Sequence, residues 1–143
     1  MARTKIELPK KFIYMTEIPV RISDINYGGH LGNDSMFSIL HEARVRFFKS
    51  LGFEELDIKG VGIIMIDAQV QFIQEGFYGD ILIIEIALTD FTSIGCDFIY
   101  RLTNKESKKE IALAKTGIVF FDYKKRKPAP VPSEFKKKIE SFN

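Results

Sequence analysis

The sequence predicts an α+β domain, with one antiparallel sheet of about five strands wrapped around a central helix. Three observations carry this expectation. The stretch from about Asp34 to Leu51 is apolar at helical spacing on most of its circumference. Nearly everything after it reads as strand. The links between those strands are short, which implies antiparallel neighbours. The 143 residues fit one domain spanning 1–143 and leave little room for a second.

In chain order, residues from about Phe12 to Ile22 read as a first strand, begun after Pro9. A polar, glycine-rich turn follows at Asp24–Asn33. Asn33 or Asp34 has the right type to cap the helix, because either side chain can accept a hydrogen bond from the first free N–H groups. Gly52 lies just past the last periodic residue, the usual helix stop. Met36, Leu40, Ala43, Phe47 and Leu51 form the apolar stripe, and Phe37, Ile39 and Phe48 widen it. A helix this apolar must be covered on most sides.

Gly62–Glu75 alternates, with Ile66, Ala68, Val70 and Phe72 on one face and Asp67, Gln69 and Gln71 on the other. Asp80–Phe91 is rich in Ile and Leu. Ser93–Leu102 sets Cys96, Phe98, Tyr100 and Leu102 against Gly95, Asp97, Ile99 and Arg101. Glu110–Asp122 carries Ala112, Ala114, Thr116, Ile118 and Phe120 on one face. The segments "FYGD" (77–80) and "TNKESKKE" (103–110) are turn-like. The chain then leaves through prolines toward a short amphipathic helix from Ser133.

Composition excludes several function classes. The formal net charge is +2, and the aromatic residues do not interleave with basic ones as an RNA-binding sheet requires. Nucleic acid is therefore not an expected partner. Cys96 is the sole cysteine, so no internal disulfide and no cysteine cluster for zinc can form. On an apolar strand face it reads as a small hydrophobe, not a nucleophile. No metal site is expected. The N-terminus lacks the apolar core of a secretory signal. The longest apolar run is far below the ~18 residues that span a membrane. A cytoplasmic protein with no membrane partner is the expectation. Thirteen Phe and no Trp point to a core or pocket filled by phenylalanine.

The stretch "ISDINYGGHLGNDSMFSILHEARVRF" resembles the strand-to-helix signature of hotdog-fold proteins, roughly "YSDTDxxGHVNNxxY…EEAR…F". More narrowly, it resembles the 4-hydroxybenzoyl-CoA thioesterase type of acyl-CoA thioesterase. Ser23, Asp24, Gly29, His30 and Asn33 match, as do Glu42, Ala43, Arg44 and Phe47. "EGFYGDILIIEI" and "GIVFFDYKKRKPAPVP" look like the family's later strands, so the resemblance spans nearly the whole chain. It implies hydrolysis of an acyl-CoA with no cofactor, since CoA is part of the substrate. It also implies two subunits joined edge to edge, with sites at their interface, and such homodimers often pair into homotetramers. The stripe Asp67/Gln69/Gln71 would suit a wet interface of that kind. One departure matters. The family's usual catalytic aspartate is matched here by Asn26, and its "NN" by Gly32–Asn33. An amide is neither a useful base near neutral pH nor a carboxylate nucleophile.

Thioester hydrolysis needs a stabilised oxyanion and an activated water or a nucleophile. The helix N-terminus, with unpaired N–H groups and a positive dipole end, meets the first need. The resemblance puts that donor near Asn33. Gly28 and Gly29 would let an acyl group approach the backbone. For the second need the candidates stay open. Asn26 can hold a water or the thioester. Asp24 is either a carboxylate of the site or an Asx-type turn residue. Asp34 is either a site group or the helix cap. His30 is either a base or a turn histidine bonded to backbone. Glu42 is either a helix-borne base or the i,i+4 partner of Arg46. Lys124 and Arg126 of "KKRK" either meet the CoA phosphates or form a solvated loop. Asn26 also leaves room for a non-hydrolytic acyl-CoA-binding protein. "DINYGGH" is faintly similar to the hydratases of enoyl thioesters.

Overall fold

The computed structural model describes residues 5–142. The strands are β1 (Tyr14–Pro19), β2 (Gly62–Phe72), β3 (Ile81–Thr89), β4 (Gly95–Asn104), β5 (Glu110–Asp122) and a short β6 (Lys127–Pro128). The helices are α1 (Asn33–Ser50) and α2 (Ser133–Glu140). All pairings are antiparallel, in the order β1-β3-β4-β5-β2, with β6 paired to the end of β5. This is the expected α+β architecture. β1 is shorter than expected because the chain leaves the sheet after Pro19 and makes a 3-10 turn at Ile22–Asp24.

α1 lies against the inner face of the sheet. Met36, Leu40, Ala43, Phe47 and Phe48 are all at most 1% exposed, as the helical spacing requires. Their counterparts are Ile84 and Ile86 of β3, Phe98 and Tyr100 of β4, and Ala114 and Phe120 of β5. Phe47 meets Phe98 edge-on at 5.6 Å, a favourable aromatic arrangement. Phe37 does not widen the buried stripe. It stands 45% exposed, on the helix face shared with exposed Val45. Gly52 adopts φ +85°, the left-handed geometry that stops the helix.

β2 departs from simple alternation. A bulge lies between Met65 and Asp67, so Met65 pairs with Ile118 and Asp67 with Gly117. Ile63 and Met65 therefore share the inner face with Ala68, Val70 and Phe72, while Ile66 is the extra residue and is 61% exposed. The Asp67 carboxylate accepts the Gly117 N–H at 3.1 Å, satisfying a sheet donor beside the bulge. Asp67, Gln69 and Gln71 face the outer side of the sheet. There the segment before β1 lies across the strands, burying Ile6 against Ala87 and Ile99. The expected terminal helix is α2, whose Phe135 is fully buried between Phe48 and Phe120. No helix among the described residues is long and apolar enough to cross a membrane.

Candidate active site

The turn between β1 and α1 is built by its own backbone. Asn26 N–H donates to the His30 carbonyl at 2.9 Å, and Gly29 N–H donates to the Asn26 carbonyl at 3.0 Å. Gly29 sits at φ +84°, a conformation costly for most other residues. The Asn26 side-chain oxygen accepts the Gly28 N–H at 2.9 Å, so the Asx turn belongs to Asn26 and not to Asp24. Asp24 reaches backward instead. Its buried carboxylate accepts the Arg21 N–H at 2.8 Å and meets the Arg21 guanidinium at 3.3 Å. That hydrogen bond holds the guanidinium above its ordinary pKa.

The cap of α1 also differs from expectation. Gly32 is the N-cap residue, Asn33 is the first helical residue, and no side chain caps the helix. Neither Asn33 nor Asp34 fills that role, because the Asn33 Oδ1 accepts the neighbouring Asp34 N–H at 3.0 Å. The Asp34 carboxylate folds back over Gly32, where an added Cβ would lie 2.6 Å from its Oδ1. Asn33, as first helical residue, has no acceptor for its N–H within the helix, and the residue lines the space in front of the turn.

That space is a cavity of ≈490 Å³ between the turn, the start of α1 and the end of β2. Asn26, His30 and Asn33 supply one polar wall, and Leu31, Met36, Phe72, Ile73 and Ile111 supply an apolar one. The sequence candidates thus divide. Asn26, His30 and Asn33 come together. Asp24 and Glu42 line a different cavity beyond β1, shared with Arg21 and Arg46. There Glu42 accepts from Arg46 Nε at 2.8 Å, the i,i+4 pair. Gly28 and Gly29 form the exposed tip of the turn and do not line the ≈490 Å³ cavity. Lys124 and Arg126 stand beyond the far end of the 13-residue β5 from Ile111, roughly 40 Å along the strand. Their turn is held by Asp122, whose carboxylate accepts the Lys124 and Lys125 N–H groups at 2.9 and 3.0 Å. Those donors, the Lys125 N–H first, lower the Asp122 pKa.

Two features were not legible in the sequence. Glu75 lines the same cavity as Asn26 and His30. It arrives there because Leu31 N–H donates to the Gly76 carbonyl at 2.7 Å, a tertiary contact with no local signature. The other feature is a polar column through the core: Arg44 bonds Glu55 at 2.6 Å and Tyr100 at 3.3 Å, and Tyr100 bonds Thr116 at 2.7 Å. The family-like "EAR" triplet marked Arg44 but not its partners. Cys96 is 4% exposed, and burial pushes its thiol up to about 12, which suits the structural role expected of it.

A helix wrapped by one antiparallel sheet, with a half-apolar pocket at the helix N-terminus, defines the hotdog fold and the thioesterase-like class built on it. Residues 20–139 match the model of the thioesterase-like superfamily, and the chain belongs to that family. Among solved structures it is similar to a 1,4-dihydroxy-2-naphthoyl-CoA thioesterase from Synechocystis, at 21% identity and a TM-score of 0.80, covering 88% of this chain and 94% of that one. It is similar to a DHNA-CoA thioesterase from Staphylococcus aureus, at 18% identity and a TM-score of 0.78, covering 90% and 87%. A gentisyl-coenzyme A thioesterase aligns at 20% identity and a TM-score of 0.76, covering 86% and 99%. At these identities the likeness is one of fold. No curated protein matches the chain in sequence.

Proposed function

We propose that the protein hydrolyses the thioester of an acyl-CoA to a free acid and CoA. The observation that carries this reading is the two-walled cavity of ≈490 Å³. Its apolar wall suits an acyl group, and its polar wall opens the helix whose first N–H groups have no intrahelical acceptor. A carbonyl lodged there develops its negative charge toward the Asn33 N–H, an interaction worth ~10²–10³ in rate for comparable donors. Asn26 holds the thioester or the attacking water through its amide, whose Oδ1 is already committed to the Gly28 N–H. His30 shares the polar wall, and the side chains of both residues flank Gly28, where an added Cβ would be 3.3 Å from Asn26 Oδ1 and from His30 Nε2. His30 serves to polarise the carbonyl.

The working unit in this reading is a homodimer. β2 is a sheet edge bearing exposed Met65, Ile66 and Phe72, a surface that proteins normally cover. A two-fold axis at that edge sets β2 antiparallel to its copy. The end of one β2, at the cavity, then meets the start of the other, where Gly62 pairs with Phe121 just before the basic turn. This arrangement carries Lys124 and Arg126 of each subunit toward the other's cavity, as contacts for the CoA phosphates.

The test is thiol release from a panel of aromatic, short-chain and long-chain acyl-CoAs. Saturable turnover on any of them is expected. Asn26 favours one competing reading, a non-hydrolytic acyl-CoA-binding protein. Tight binding across the panel with no thiol release would establish that reading instead.

A further inference from the structure

We infer that Glu75 is the general base of this site, the carboxylate that replaces the aspartate missing at position 26; the assignment rests on the hydrolase reading above. Asn26 cannot take a proton from water near neutral pH. The acidic groups nearest in sequence are committed elsewhere. Asp24 is 3% exposed and paired with Arg21. Asp34 is folded over Gly32. Glu42 is paired with Arg46 in another cavity. Asp80, farther along the loop, accepts the Phe77 N–H at 2.9 Å. Among the described residues, Glu75 is the one carboxylate lining the cavity with Asn26, His30 and Asn33.

Its backbone is fixed although its side chain is exposed. Ile73 and Gln74 N–H both donate to the Ile111 carbonyl, at 2.9 and 3.2 Å. Gly76 is buried, and a Cβ there would approach the Leu31 Cβ to 3.3 Å, so the loop lies flush against the catalytic turn. The 2.7 Å bond from Leu31 N–H to the Gly76 carbonyl joins the two segments. His30 and Glu75 each stand one residue before that bond, on the two sides of the cavity. Among the described residues no ion pair or side-chain hydrogen bond engages the Glu75 carboxylate, which leaves its oxygens free to accept a proton.

The step balances as follows. A water O–H gives its proton to the Glu75 carboxylate while the water oxygen bonds the thioester carbon. The carbonyl electrons move onto oxygen, facing the Asn33 N–H. On collapse the C–S bond breaks, and its electron pair leaves with the CoA sulfur. The proton on Glu75 passes to that thiolate, which restores the carboxylate and releases acid and CoA. No external oxidant, reductant or co-reactant besides water is needed.

The experiment compares the 143-residue chain with Glu75→Gln, Glu75→Ala and Glu75→Asp on the acyl-CoA panel, with added formate in a parallel series. Loss of a general base predicts a fall in kcat of ~10²-fold or more in Glu75→Gln with KM little changed. Partial recovery is expected in Glu75→Asp and in Glu75→Ala supplied with formate, a response that a structural side chain would not give. Wild-type kcat in Glu75→Gln, or a loss in Glu75→Ala that formate leaves untouched, overturns the assignment while leaving the hydrolase reading intact. Absence of turnover in the wild-type chain removes both.

Discussion

The Arg44 Nε stands 2.6 Å from Glu55 Oε2, with the arginine side chain only 7% exposed. A cation taken into a core needs its counter-charge. Removing one member of such a pair strands the other and costs about 3–5 kcal/mol, whereas replacing the charge by an apolar side chain of similar volume costs much less. Glu55→Ala is therefore expected to lower unfolding stability more than Arg44→Met. Urea denaturation of both variants checks the order. The reverse order would mean that the glutamate is the group made costly by its partner's loss.

The pH dependence follows from the buried thiol. Cys96 is raised from 9.0 to about 12 in the fold, first by burial and then by the nearby Asp97 charge. The folded state therefore holds a proton that the unfolded state releases. This contribution is complete below pH 9 and is lost as pH rises toward 12, by at most about 4 kcal/mol. Tyr100, raised by burial, adds loss in the same direction at higher pH. Urea midpoints of wild type should fall between pH 9 and 11, and Cys96→Ala should fall less over that interval.

Phe72 is 56% exposed yet forms part of the apolar cavity wall. Its truncation should leave the fold nearly untouched and weaken acyl binding. Complete burial of such a ring is worth ~1.5–3 kcal/mol, so Phe72→Ala should raise KM about tenfold for bulky acyl groups. Steady-state kinetics with short and bulky acyl-CoAs checks this. An equal rise for both would remove Phe72 from the acyl wall.

Asn26→Asp keeps the turn, because a carboxylate oxygen accepts the Gly28 N–H as readily as the amide oxygen does. It also introduces a second carboxylate into the cavity. In a Glu75→Gln background, turnover should partly return. A melting temperature close to that of wild type, with no return of turnover, would place position 26 out of reach of the reacting water.

Ile66 is the extra residue of the β2 bulge and projects, 61% exposed, from a sheet edge. Ile66→Lys places a charge on that edge, a common device against edge pairing. If the homodimer proposed above joins at β2, sedimentation of the variant should record a lower mass than wild type, accompanied by weaker CoA binding. An unchanged mass would move the subunit contact away from β2.

The order strand, helix, four strands was legible because periodicity reports burial directly. The alternations of β4 and β5 and the stripe Met36–Leu40–Ala43–Phe47 all lie where spacing puts them. Local pattern failed where a distant segment decides. Phe37 is as apolar as Phe47, but its face of α1 is turned outward and leaves it 45% exposed. The bulge at Ile66 is set by pairing with β5, not by any glycine or proline in β2. Asn33 has cap chemistry, yet its side chain bonds the next N–H and leaves the cap position to Gly32. Half the site was readable, since Asn26, His30 and Asn33 share one turn. Glu75 was not, since it lies 42 positions beyond Asn33.

Phe135 carries a consequence for synthesis. Fully enclosed, its ring lies 5.7 Å from Phe48, 6.2 Å from Phe53 and 5.4 Å from Phe120. Until that residue has left the ribosome, three aromatic rings lack the one side chain that touches all of them. The nascent protein must then keep a sticky seam open to chaperones until the segment that carries Phe135 has emerged.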